Sequence, residues 1–228
     1  MMYLSRIHFT RKGIRNQCRR GITSNLFREH QMIWNLFDNA PDQRRDFLYQ
    51  REDRPGEPPF YYLLSARQPL ESDDNLTVET RPFAPRLQTG DRLQFRLRAN
   101  AVVTSKADDH GKRRIRRDII EARIDACRED DPHRENWPPP AEIHHQAASD
   151  WLNRQGEKHG FQLGDCLVSN HRFHKVRKPG DPHQRHFTSF DVQGSLTVTE
   201  PDACLAALRQ GLGRSRAFGC GLMLIRRT

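Results

Sequence analysis

Acid–base chemistry near neutral pH calls for histidine, whose ordinary pKa lies closest to that range. The chain has 11 histidines. His30, in "REHQMIWNLF" (28–37), lies four residues after Leu26 and three before Ile33, on the apolar stripe of a predicted helix. On the residues alone this is the pattern of a core histidine. Four more fall in "HRFHKVRKPGDPHQRH" (171–186), beside Arg172, Lys175, Arg177 and Lys178. The alternation predicts a hairpin tipped by "RKPGDP". Pairing Phe173 with Gln184 would set His174 opposite His183 and His171 opposite His186. Two HxxH spacings raise a zinc hypothesis. Residues i and i+3 of a strand face opposite ways, however, so neither spacing chelates by itself, and no third ligand is evident beyond Asp181. No metal is expected.

A third stretch closes the chain. "GLGRSRAFGCGLMLIRRT" (211–228) has four glycines, Gly211, Gly213, Gly219 and Gly221, within eleven residues. It lacks the GK[ST] of a Walker loop, and a strand follows where a dinucleotide fingerprint needs a helix. Two readings stay open. Backbone N–H groups around Gly213 with Arg214, Ser215 and Arg216 can cradle a phosphodiester. Alternatively, the glycines permit a tight helix-to-strand crossover.

These segments must be carried by a scaffold, and the periodicities suggest one. "YLSRIHFT" (3–10) reads as a strand, followed by an Arg-rich loop containing Arg15, Arg19 and Arg20, expected to be solvated. A helix capped by Ser24 or Asn25 spans about 26–37. Strands follow at 47–52, 60–66 and 75–83; "FYYLL" (60–64) is apolar on both faces, so a buried strand is expected over a base-stacking platform. After a break at 84–91, "RLQFRLRAN" alternates, with Leu93, Phe95, Leu97 and Ala99 on one side. A helix over about 141–157, the long hairpin, a helix starting at Pro201 and a last strand complete the pattern. The sequence predicts an α+β fold of two tandem ferredoxin-like, RRM-like βαββαβ domains, 1–88 and 89–228.

Composition narrows the partners. Lys and Arg total 38 against 29 Asp and Glu, a net charge of +9, and all but six of the 38 are arginine. Arginine binds phosphate bidentately and stacks on bases, although a GC-rich genome also favours arginine. The basic residues cluster in 106–117, in 171–186 and from Arg209 onward, which suggests a shared basic face. "GKRRIRR" (111–117) suits RNA, a partner subunit or solvent equally. Five scattered cysteines without a CxxC argue against a disulfide framework or a Cys-rich zinc site. No apolar run approaches the ~18 residues of a membrane helix and no signal peptide is evident, so a cytoplasmic protein without membrane association is expected.

The residues 190–226, "FDVQGSLTVTEPDACLAALRQGLGRSRAFGCGLMLIR", resemble the C-terminal signature of the CasE family of type I-E CRISPR endoribonucleases. "GDRLQFRLRANAVVT" (90–104) resembles the strand that opens the family's second domain, and "MYLSRI", "HQMIWNLF" (30–37) and "RDFLYQ" (45–50) resemble its N-terminal half. The resemblance implies cleavage of CRISPR precursor RNA within the repeat, at the base of a stem-loop. Attack by the ribose 2′-OH would leave a 2′,3′-cyclic phosphate and a 5′-OH, with no metal or other cofactor. It implies His30 as the catalytic acid/base. It also implies a hairpin that enters the RNA groove, with Arg172, Lys175, Arg177 and Lys178 on phosphates, and a role in RNA binding for Gly213, Arg214, Ser215 and Arg216. The implied partners are the repeat RNA and other Cascade subunits, the free protein being monomeric. Phe27 stands where the family pattern has a tyrosine, one helical turn before the histidine. That keeps open a subunit that holds the RNA hairpin without cutting it.

Overall fold

The computed structural model describes residues 1–20, 25–38, 44–104, 116–177 and 184–228. The first sheet contains β1 (Met2–Phe9), β2 (Phe47–Glu52), β3 (Phe60–Ser65) and β4 (Leu76–Phe83), in the order β2-β3-β1-β4, all neighbours antiparallel. Two helices, α1 (Arg11–Arg20) and α2 (Leu26–Trp34), lie between β1 and β2. The second sheet contains β5 (Arg92–Ala99), β8 (Phe161–Val176), β9 (Arg185–Val198) and β10 (Met223–Arg227), in the order β10-β5-β9-β8. Both sheets therefore place their strands as second, third, first, fourth or its reverse sense, the arrangement of a ferredoxin-like βαββαβ unit. Between β5 and β8 lie a small two-stranded sheet of β6 (Val102–Thr104) and β7 (Arg116–Asp118), then α3 (Ile119–Asp130) and α4 (Pro140–His159). Helix α5 (Pro201–Gln210) joins β9 to β10, whereas residues 66–75 join β3 to β4 without a helix.

Three apolar clusters hold these layers together. Ile7, Ile33, Tyr49, Tyr61 and Leu63 lie between the first sheet and α2. A larger core around Leu97, Ile120, Leu152, Phe190 and Leu196 lies under the second sheet. A third cluster, Leu48, Leu64 and Leu222 with Leu4 and Leu224 at its edge, ties the back of the first sheet to the last strand. This explains why "FYYLL" is apolar on both faces: Tyr61 and Leu63 face the helix, and Leu64 faces the other half of the protein. The strand is buried, as its pattern suggests. In β5, Leu93, Phe95, Leu97 and Ala99 are all buried, as the alternation requires.

One expectation is corrected, and one helix was not anticipated. The Arg-rich segment 11–20 is helical. Among the described side chains of this helix the buried positions are Gly13 and Gln17, neither of which registers as hydrophobic in sequence. Gly13 is needed for close approach, since a Cβ there would come within 2.0 Å of the Asn75 carbonyl oxygen. The acidic stretch after Asp118 also forms a helix, α3, because the Asp118 carboxylate caps it by accepting from the amides of Ile120 (2.8 Å) and Glu121 (3.1 Å).

Candidate active site

Helix α2 starts at Asn25, whose side-chain oxygen accepts from the amides of Phe27 (2.9 Å) and Arg28 (3.4 Å). This cap fixes a short helix that presents Glu29 and Ile33 inward, with His30 at its edge. The His30 ring touches Trp34, Phe47 and Phe218 at centroid distances of 5.7, 5.9 and 6.3 Å. Its Nδ1 is buried with no hydrogen-bond partner among the described residues, which leaves Nε2 as the nitrogen open to a substrate. Burial, and then the nearby Arg45 guanidinium, lower its pKa from 6.5, so the imidazole is neutral at pH 7.

The cations around it come from both halves of the chain. Arg45 lies just before β2, partly buried; burial and then Arg216 lower its pKa. Arg216 arrives on the glycine loop, in a 3-10 turn, Arg216–Phe218, that touches α2 and β2. The loop is tightly held. The Leu212 amide donates to Gly221 O (3.0 Å), the Gly221 amide to Arg98 O (2.8 Å), the Arg214 amide to Asn100 O (2.9 Å) and the Tyr49 hydroxyl to Ala217 O (3.2 Å). Gly213 has φ 78°, and a Cβ there would sit 2.7 Å from Asn100 O. The crossover reading of the glycines is therefore realised, and the Leu212, Arg214 and Gly221 amides are occupied within the protein. Arg214 remains exposed, with Ser215 and Arg216 partly so, and Ser215 has the left-handed φ of 50°.

Beneath the histidine, Glu29 is 1% exposed and paired with Arg51, which also reaches Asp53 at 2.8 Å. Burial raises the Glu29 pKa and the Arg51 charge opposes the rise. The Tyr61 hydroxyl is buried close to this carboxylate without a well-aligned hydrogen bond. Glu29, Arg45, Arg51 and Phe218 are not evident from sequence: a carboxylate on a helix normally reads as a solvated face, and nothing links residue 218 to residue 30 before folding.

The hairpin differs in register from the sequence expectation. Phe173 pairs with Thr188, His174 with Phe187 and Lys175 with His186, an offset from the expected pairing with Gln184. Bulges at 163–166 and 169–172, the latter with Asn170 at φ 53°, shift the strand in a way alternation cannot reveal. The zinc geometry goes with the old register, and among the described residues no group of three His, Cys, Asp or Glu side chains could hold a metal ion. His171 instead approaches Asp118 at 3.5 Å and packs on His144. Arg172, Lys175 and Arg177 are exposed; Lys178 and His183 lie outside the described residues, as does the basic stretch 106–115. Arg172 lines a cleft of about 270 Å³ between the sheets with Arg51, Asp53, Arg98 and Asp191. Lys175, three residues on, projects from the opposite face of the hairpin.

Two ferredoxin-like sheets, joined through the last strand, with a caged histidine on one and a basic hairpin and loop on the other, define a tandem ferredoxin-like protein built to meet a polyanion. The chain belongs to the family described as "CRISPR associated protein", which it matches over residues 2–227. It is 28% identical over 227 residues to the CRISPR system Cascade subunit CasE of Escherichia coli, covering 97% of this chain and 98% of that one. It is 27% identical over 218 residues to the CRISPR-associated endoribonuclease Cse3 of Thermus thermophilus, covering 89% and 90%. Among solved structures it is similar to Cse3 bound to 19 nt RNA, with TM-score 0.71, 25% identity and 98% coverage of both chains. It is likewise similar to Cas6e from Escherichia coli, with TM-score 0.64, 26% identity and coverage of 99% and 100%. Among the described residues no helix is long and apolar enough to cross a membrane.

Proposed function

We propose that the protein is a cytoplasmic endoribonuclease that cuts CRISPR precursor RNA within the repeat, at the base of its stem-loop, and stays on the mature guide RNA as a Cascade subunit. The relatives named as a Cascade subunit and as an endoribonuclease support the reaction class. The observation that carries the mechanism is His30, neutral, ring-caged and open at Nε2 beside Arg45 and Arg216. His30 takes the proton of the ribose 2′-OH. The 2′-oxygen bonds to the adjacent phosphorus, the bond from phosphorus to the 5′-oxygen breaks, and the 5′-oxygen takes up a proton, returned by the His30 imidazolium directly or by exchange with solvent water. The products are a 2′,3′-cyclic phosphate and a 5′-OH. Arg45 and Arg216 stabilise the charge gathered on the phosphorane. The nucleophile is the RNA's own hydroxyl, so the scheme needs no metal-bound hydroxide.

The RNA-binding surface in this reading is the hairpin with Arg172, Lys175, Arg177 and Lys178, together with Gly213, Arg214, Ser215 and Arg216. Cations on both faces of a hairpin suit insertion between two phosphate backbones. We assign the first domain to residues 1–88 and the second to 89–228, supported by a separate sheet and core in each. The test is cleavage of a repeat stem-loop RNA in EDTA. Wild type should cut, and His30→Ala should lose cleavage while keeping RNA affinity. An equally active mutant would return His30 to the core. One observation favours a second reading, a subunit that holds the hairpin without cutting: Phe27, on the helix turn before His30, offers no hydroxyl. Binding without cleavage by wild type would select it.

A further inference from the structure

A histidine that moves protons is normally aimed by a hydrogen bond from its second nitrogen, which fixes ring orientation and tautomer. His30 has no such bond among the described residues. Its orientation is set by the three rings around it. Trp34 lies on its own helix and Phe47 on the adjoining strand, so these two move with His30. Phe218 comes from the far end of the chain. It stacks on Phe187 of β9, centroids 5.7 Å apart and planes within 17°. Phe187 in turn stacks on its cross-strand neighbour His174, at 4.6 Å and 22°. The result is a continuous file of rings, His174, Phe187, Phe218 and His30, running from the hairpin to the candidate base. Neither Phe187 nor Phe218 belongs to any of the three buried clusters, so core packing does not account for them.

We infer that Phe218 and Phe187 are positioning residues for His30: they replace the missing orienting hydrogen bond and tie the aim of the ring to the placement of the hairpin. The inference rests on the reading of His30 as the acid/base. RNA seated on the hairpin holds Phe187, Phe187 holds Phe218, and Phe218 closes the cage from the glycine loop. The 3-10 turn that carries Phe218 is itself fixed to the first half by the Tyr49 hydroxyl, so the ring has little room to swing.

The test uses the full chain and a repeat stem-loop RNA under single-turnover conditions. Affinity is measured on the same RNA with a 2′-deoxy sugar at the cleavage site. Phe187→Leu and Phe218→Leu should each slow cleavage about 10- to 100-fold, as expected for a misaimed group, with affinity within about threefold of wild type. Phe187→Tyr, which restores the ring, should recover the rate. The His30 imidazole titration, followed by NMR without RNA, should rise toward 6.5 in Phe218→Leu as water enters the cage. Wild-type rates in both leucine variants, beside a dead His30→Ala, would overturn the inference and leave the site assignment standing. A rate loss that merely follows lost affinity would also overturn it. An active His30→Ala would remove the site assignment and the positioning role together.

Discussion

His30 and His174 stand at the two ends of one file of rings and have much in common. Both are partly buried, both have pKa values lowered first by burial and then by arginine, and both pack against phenylalanine, His30 edge-on and His174 stacked. They differ in one bond. His174 Nε2 lies 2.7 Å from the Ser189 hydroxyl, whereas the His30 ring has no hydrogen bond among the described residues. At His174 the serine hydroxyl occupies Nε2, so a substrate would have to displace it there. At His30 no side chain among the described residues competes for the ring nitrogens. The contrast separates a histidine that shapes a strand from one that is free to react, although composition and burial make them look alike.

The strongest way to break the comparison is to substitute both. His30→Gln should reduce single-turnover cleavage by at least about 100-fold, the usual contribution of a positioned acid/base. His174→Gln, whose amide still reaches Ser189, should stay within about fivefold, since one neutral hydrogen bond carries about 1 kcal/mol. Equal losses would erase the distinction. A smaller effect is expected from Arg45→Gln. Removing that charge should slow cleavage about tenfold by lost phosphorane stabilisation. It should also raise the NMR titration of His30 while leaving His174 unchanged, because only His30 feels Arg45.

The smallest effect concerns stability. His8, His30, His144, His159 and His174 all have pKa values depressed below 6.5, burial being the largest cause in each. The unfolded chain therefore binds more protons than the folded one below 6.5. Their contribution is complete above that pH and is lost as pH falls through the folded-state values. Thermal melts from about pH 8 down to about pH 5 should show Tm falling once pH passes below 6.5. His30→Gln and His174→Gln should each flatten part of that fall. Here the two histidines should act in the same direction, which confines their contrast to chemistry.

The sequence made much of the frame legible because its signals are local. Asn25 followed by an apolar stripe marks a capped helix, and the alternation from Leu93 to Ala99 marks a strand with one buried face. Where the signal is carried by residues of unexpected type, it fails. Helix α1 buries Gly13 and Gln17, and α2 buries the carboxylate of Glu29 against Arg51. The hairpin register depends on bulges, which leave no trace in a polar–apolar pattern. His30 illustrates the limit. On its own residues it reads as a core histidine, and it is indeed surrounded by rings. What marks it for chemistry is the absence of a partner at Nδ1 among the described residues and the arrival of Arg216 and Phe218, both consequences of the fold.

Phe218 lies far downstream of His30, in a turn between α5 and β10. During synthesis, α2 and its histidine leave the ribosome before the hairpin, and the hairpin before the ring that closes the cage. On the reading advanced above, a nascent chain already displays its basic hairpin while its base is still unaimed. Cutting then waits for Phe218, so translation itself sets the order in which the hairpin and the aimed base become available.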